Sequence, residues 1–101
     1  MKTYTIHYSM EAQDDIEDIH RYIAYELLEP DIAENYRKEI GETCKKLCIY
    51  GGSLAINQRE YIQKRWGPDA RTITYKKTTI IFNVIKDTIL IRRVMVGSLI
   101  I

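Results

Sequence analysis

Cysteine is scarce in this chain and badly placed for chemistry. Only Cys44 and Cys48 occur among its 101 residues. Four positions apart in one expected helix, they fall on nearly the same face, too close for a useful cross-link. A zinc site would need two further ligands, and the only histidines, His7 and His20, stand far away at no recognised spacing. No metal and no cofactor is expected, and the thiols read as small apolar side chains in a reducing compartment. No apolar run approaches the roughly 20 residues that a membrane span needs. The opening Met1-Lys2-Thr3-Tyr4-Thr5 has no secretory core, so the expectation is a cytoplasmic protein with no membrane partner. Repeats and low-complexity tracts are also missing. The length fits a single domain over 1–101, burying about two thirds of the surface its unfolded chain would expose.

What the chain does have is a division of charge. Its net charge is +1, yet residues 1–50 carry 6 Lys/Arg against 11 Asp/Glu, and residues 51–101 carry 9 against 3. An acidic half joined to a basic half suggests one surface suited to a polyanion and another that is only solvated.

The apolar periodicity gives the fold class. Tyr4, Ile6 and Tyr8 alternate with Thr3, Thr5 and His7, which predicts a half-buried strand. Ser9 is placed to cap a helix. Glu11, Asp14 and Asp15 then favour the positive end of its dipole, and Ala12, Ile16, Ile19, Ile23 and Leu27 form one apolar stripe. Pro30 ends that helix near Glu29. Asp31 is the expected cap of a second helix, with Ala33, Tyr36, Ile40, Cys44 and Leu47 as its stripe. Gly51-Gly52 is expected to close it with positive φ. Gly41, inside that helix, suggests close packing. The short linker makes the two helices an antiparallel hairpin. Residues 53–70 show no clear period and read as a loop with at most one short strand, turning at Gly67-Pro68-Asp69. Three strands follow, 71–76, 79–85 and 88–96, with turns at Lys77-Thr78 and Lys86-Asp87. The apolar, β-branched middle strand is expected to be covered on both faces. The order β-α-α-β-β-β predicts an α+β domain, a helical hairpin on a mostly antiparallel sheet with the N-terminal strand at one edge.

This ordered set resembles the RelE/ParE toxin family. Ala12-x-x-Asp15-Ile16-x-x-Ile19-x-x-Tyr22-Ile23-Ala24 is similar to that family's first helix, and Glu26-Leu27-Leu28-x-Pro30-x-x-Ala33 to its helix corner. Trp66-Gly67-x-x-x-Arg71-Thr72 is similar to the loop entering its sheet. Thr79-Ile80-Ile81-Phe82 and Ile89-Leu90-Ile91-x-Arg93-Val94-Met95-x-Gly97 are similar to its last two strands. The resemblance implies a toxin neutralised by a cognate antitoxin, and a toxin–antitoxin heterotetramer is the assembly it allows. Its targets in the family are DNA gyrase, for ParE-like members, or mRNA in the ribosomal A site, for RelE-like endonucleases. A degenerate toxin that only binds antitoxin is the third reading.

RNA cleavage by 2′-OH attack needs a proton acceptor, a phosphorane stabiliser and a proton donor. The resemblance places Arg71 and Arg93 at strand positions of that site. Lys64, Arg65, Lys76, Lys77 and Arg92 supply further cations for a nucleic acid or another target. Arg92 and Arg93, adjacent in a strand, are expected on opposite faces. The acid/base group is the difficulty. Val96 stands where the family has an aromatic residue or histidine and Leu99 where it has an arginine, and no histidine follows His20. Tyr75 is the nearest substitute, though its alternation with Ile73 also suits the core. A gyrase-directed or otherwise non-nucleolytic toxin of the ParE type is therefore favoured. Trp66, Met95, Val96 and Leu99 form the expected antitoxin contact, because an apolar terminal strand left uncovered would be adhesive.

Overall fold

The computed structural model describes residues 3–96. Its elements run β1 (Thr5–Tyr8), α1 (Met10–Arg21), a π-helical turn (Tyr22–Glu26), α2 (Pro30–Tyr50), a 3₁₀ turn (Gly51–Ser53), α3 (Glu60–Trp66), β2 (Arg71–Tyr75), β3 (Thr78–Ile85) and β4 (Thr88–Val96). The four strands lie in the order β1-β4-β3-β2. β2, β3 and β4 form the antiparallel meander, and β1 joins β4 in parallel at one edge, Thr5 opposite Thr88 and Tyr8 opposite Ile91. The expected α+β architecture is the observed one.

The helical hairpin covers one face of the sheet. Ala12 of α1 and Ile40, Cys44 and Leu47 of α2 meet Ile80, Phe82, Ile89, Ile91 and Val94 in the main core. Each fully buried aliphatic side chain there contributes roughly 1.5–3 kcal/mol of transfer free energy, more than any helix propensity in the segment. The stripe, rather than propensity, therefore fixes the hairpin. The far face is covered by α3, where Ile62, Trp66 and Ala70 enclose Ile81, with Met95 against them. β3 is thus covered on both sides, as its composition predicts.

Several local expectations are corrected. Residues 53–70 contain α3, not only loop and the isolated Ile56–Arg71 bridge. Its two inward side chains, Ile62 and Trp66, are one helical turn apart, and Gly67 at φ 103 ends it. Helix α2 starts at Pro30, one residue before the expected cap Asp31. Proline's fixed φ suits the first helical position, and Glu29 holds the N-cap place without a side-chain bond. Gly51 is right-handed, at φ −56. Space, not positive φ, calls for glycine here: a Cβ on Gly51 would lie 2.8 Å from Ile89 Cδ1, and one on Gly52 would overlap the Tyr4 hydroxyl. Gly41 faces open space, so nothing packs closely on it. β2 stops at Tyr75, and the turn is Lys76-Lys77, not Lys77-Thr78. Finally, Ile81 pairs with Arg93 but Phe82 with Ile91, so Arg92 is the extra residue of a β-bulge. The strict alternation that would send Arg92 and Arg93 to opposite faces does not hold across it.

Beyond Tyr8 the outer edge of β4 has no strand beside it, and α1 supplies the missing partners. Ser9 caps α1 by accepting from Ala12 N–H at 3.1 Å, while its hydroxyl donates to Arg92 O and its amide to Ile91 O, both at 2.9 Å. Val94 N–H donates to Asp15 Oδ2 at 2.9 Å. Bulge and helix start therefore fit one another.

Candidate functional site

The basic side chains do not converge. Arg93 Nε and Nη2 donate to Asp15 Oδ2 and Oδ1 at 2.7 and 2.9 Å, with Glu11 at 3.9 Å. The Asp15 bonds hold its guanidinium more firmly protonated than usual, against a smaller opposing effect of burial. Both partners are largely shielded, at 22% and 14% side-chain exposure. Arg71 shares the face of Ile73 and Tyr75, so its guanidinium runs beneath the end of α2 and donates to Gly51 O at 3.2 Å. Its Nε is buried with no hydrogen-bond partner. Arg92 donates to Asn83 Oδ1 at 3.2 Å, and the Asn83 amide in turn donates to Trp66 O at 2.9 Å.

The remaining cations are spread over the surface. Lys64 pairs with Glu60 one turn away along α3, and Lys76 reaches Glu39 at 3.5 Å. Arg65 stacks on the Trp66 ring at 5.4 Å, while Lys77 is exposed in its turn. Tyr75 packs edge-to-face on Tyr36, ring centroids 6.4 Å apart, against the main core. Trp66 is only 8% exposed and Met95 packs beside it. Val96 is partly exposed, and Leu99 lies outside the described residues. Among the described residues, no three His, Cys, Asp or Glu side chains gather in a way that could hold a metal ion, and no helix is long and apolar enough to cross a membrane.

Val96 opens onto a groove of about 600 Å³ between the two helices of the hairpin and the β2–β3 turn. Ile19, Tyr22, Ile23 and Tyr36 make its walls apolar, with Asp18, Lys76 and Lys77 as its charged members. Thr78 also lines it. That residue is 1% exposed, and its hydroxyl has no hydrogen-bond partner among the described residues. A buried hydroxyl left unpaired costs free energy unless something outside completes it. Burial raises the Tyr36 phenol above its ordinary value, partly offset by Lys76, so both hydroxyls are neutral hydrogen-bonding groups at physiological pH. The groove combines apolar walls with few charges.

Residues 6–98 match the family described as ParE toxin of the type II toxin–antitoxin system parDE. The chain belongs to the ParE toxin family. Among curated proteins none matches it by sequence. A solved structure titled as the chromosomal ParDE toxin–antitoxin system from P. aeruginosa superposes with a TM-score of 0.77 at 22% identity, covering 93% of this chain and 96% of that one. At that identity the superposition speaks for the fold. This ParE toxin is accordingly the toxin component of a type II pair, and its partner is an antitoxin.

Two features of the ParE toxin lay hidden in its sequence. Asp15 reads as a dipole-stabilising carboxylate, yet it receives three hydrogen bonds from β4. The available signal was its spacing. At 12-15-19 it stands on the inward side of α1, where a carboxylate needs a cation. The groove was the second. Ile19, Ile23 and Tyr36 read as core stripe, and only their packing shows that the stripe outruns the sheet that covers it.

Proposed function

We propose that this ParE toxin acts on a protein target, DNA gyrase, without cleaving nucleic acid, and that its antitoxin is seated in the Val96 groove. The observation that carries the first part is the prior engagement of the arginines. The Arg93 guanidinium is clasped by Asp15 and that of Arg71 is turned under α2. A phosphate-binding fork would have to break one of these arrangements, and the Tyr75 ring is packed edge-to-face on Tyr36 against the core. Lys64, Arg65, Lys76, Lys77 and Arg92 then serve as dispersed charges at the target surface rather than as a catalytic group. The apolar walls and the exposed Val96 support the second part: an antitoxin segment would cover them.

The test is induction in bacteria with mRNA 5′ ends and plasmid supercoiling followed together, beside supercoiling by purified gyrase. Loss of supercoiling with unchanged 5′ ends is expected. Codon-phased cuts would overturn the reading in favour of a ribosome-dependent endonuclease, and normal growth under strong induction would point to a toxin that only binds antitoxin. For the groove, Val96→Lys is expected to weaken the antitoxin complex about tenfold or more, because it buries a charge against apolar walls. An unchanged complex would place the antitoxin elsewhere.

A further inference from the structure

The tip of the helical hairpin exposes more apolar surface than its turn requires. Of the twelve large apolar side chains left exposed among the described residues, five lie between positions 22 and 32: Tyr22, Tyr25, Leu27, Leu28 and Ile32. The other seven are spread from position 10 to position 96, as isolated apolar side chains commonly are on protein surfaces. Leu28 is the clearest case. It is 77% exposed and sits at φ 55, in the left-handed region that glycine or asparagine occupies with least strain. Turn chemistry disfavours leucine at this place, and neither buried cluster includes it. The chain widens here into the π-helical turn, with Leu27 N–H bonded to Tyr22 O and Glu29 N–H to Ile23 O, each at 3.1 Å.

The charge at the end of the tip is acidic. Glu26, Glu29 and Asp31 are exposed, and none is in an ion pair among the described residues. The one arginine or lysine between positions 17 and 34 is Arg21, already 3.8 Å from Asp18. Uncompensated carboxylates around an apolar patch repel nucleic acid and acidic protein surfaces alike. They match apolar side chains flanked by lysine or arginine. A depression of about 320 Å³ lined by Asp18, Arg21, Tyr22, Tyr25 and Glu26 offers room for an inserted side chain.

We propose that the hairpin tip is a second protein-docking surface, which adjoins the antitoxin groove at Asp18 and Tyr22 and takes a basic amphipathic helix of a partner protein. The helix's apolar face covers Tyr25 and Leu28, and its lysines or arginines meet Glu26, Glu29 and Asp31. The surface does not depend on which target the toxin poisons, so gyrase assays and the experiment below can fail separately.

The probe is a fluorescein-labelled helical peptide of leucine and lysine, with a leucine–glutamate peptide of the same spacing as control. Both are titrated into the full chain, and the contact is mapped by NMR amide shifts. The lysine peptide is expected to bind, with shifts centred on residues 25–32 and small at Ile19, Tyr36 and Thr78, and to weaken as salt rises; the glutamate peptide is not expected to bind. The combined variant Glu26→Lys, Glu29→Lys, Asp31→Lys is expected to lose affinity about tenfold or more, while the distant surface change Glu60→Lys leaves it unchanged. Leu28→Gly separates docking from a structural role: it relieves the left-handed turn, so the melting temperature rises while peptide affinity falls. Undiminished binding in the charge-reversed variant, or shifts centred on the groove or on Glu11 and Asp14, overturns the proposal. So does dimerisation of the free chain that Leu28→Lys abolishes, because the occupant is then a second copy.

Discussion

Replacing Asp15 by asparagine keeps the shape of the side chain and removes only its charge and one acceptor, so the cost can be worked from the geometry. Asp15 Oδ2 accepts from Arg93 Nε at 2.7 Å and from Val94 N–H at 2.9 Å, while Oδ1 accepts from Arg93 Nη2 at 2.9 Å. With the amide oxygen in the Oδ2 place, the first two bonds survive as neutral-acceptor bonds. The amide NH₂ then faces Arg93 Nη2 donor to donor. A hydrogen bond to a charged group is worth about 1.5–3 kcal/mol and a neutral one about 0.5–1.5 kcal/mol. Losing one charged bond outright costs about 1.5–3 kcal/mol and making the other two neutral about 1–1.5 kcal/mol each, so the change costs about 3.5–6 kcal/mol. In a domain of this size each 1 kcal/mol moves the melting temperature by about 4–8 °C, so a fall of at least about 14 °C is expected. Circular dichroism melts and urea titrations measure it, and hydrogen exchange at the Val94 amide reports the local release. The double variant Asp15→Asn, Arg93→Met is expected to recover part of the loss, because it no longer strands a shielded guanidinium. A fall below about 2 °C, or a double variant as unstable as the sum of the two single changes, would refute the account of Asp15 as the fastening of β4 to α1.

Two further outcomes follow from backbone and titration. Lys86, the first residue of the β3–β4 turn, sits at φ 55; Lys86→Gly removes left-handed strain of about 1–2 kcal/mol and adds about 0.5–1 kcal/mol of chain entropy cost, so a net gain of about 0.5–1 kcal/mol is expected in a urea titration. At alkaline pH the chain is expected to lose stability: burial raises the folded pKa values of Tyr8, Tyr36 and Cys44 above the ordinary 10.0, 10.0 and 9.0, the neighbouring Cys44 thiol adding to the rise at Tyr8. The unfolded chain then releases these protons first, so stability is full below those ordinary values and is lost as pH rises from about 9 toward the folded values. Melting temperatures across that range check it, with Tyr8→Phe expected to flatten the fall.

The long elements were legible because each buries a periodic face. The Ile40, Cys44 and Leu47 stripe of α2 and the uniformly apolar β3 could be little else. α3 was not legible, since seven residues with only Ile62 and Trp66 turned inward give too short a sample of a 3.6-residue period. The β-bulge was hidden for another reason. Two adjacent arginines fit an alternating strand as well as a bulged one, and the choice is made by Asp15, 78 positions away from Arg93 in the chain. The site residues were named from their chemistry and the family's positions, and that chemistry was present. What a sequence does not carry is prior engagement: nothing near Arg71 announces the Gly51 carbonyl, and nothing near Thr78 announces an unpaired hydroxyl. The groove exists because α1 and α2 run past the sheet, a matter of relative element lengths in three dimensions.

The parallel pairing of β1 with β4 has a consequence for how the toxin is made. β4 is the last described strand in the chain, yet it lies between β1 and β3. During synthesis the hairpin can form early, but the sheet beneath it cannot close until residues 88–96 have left the ribosome, and closing it joins segments more than 80 residues apart. Until β4 has emerged, the growing chain lacks the strand that joins β1 to β3, the Arg93 partner of Asp15 and the Val96 side of the groove. The toxin acquires its poisonous shape only after its own synthesis has passed the last strand.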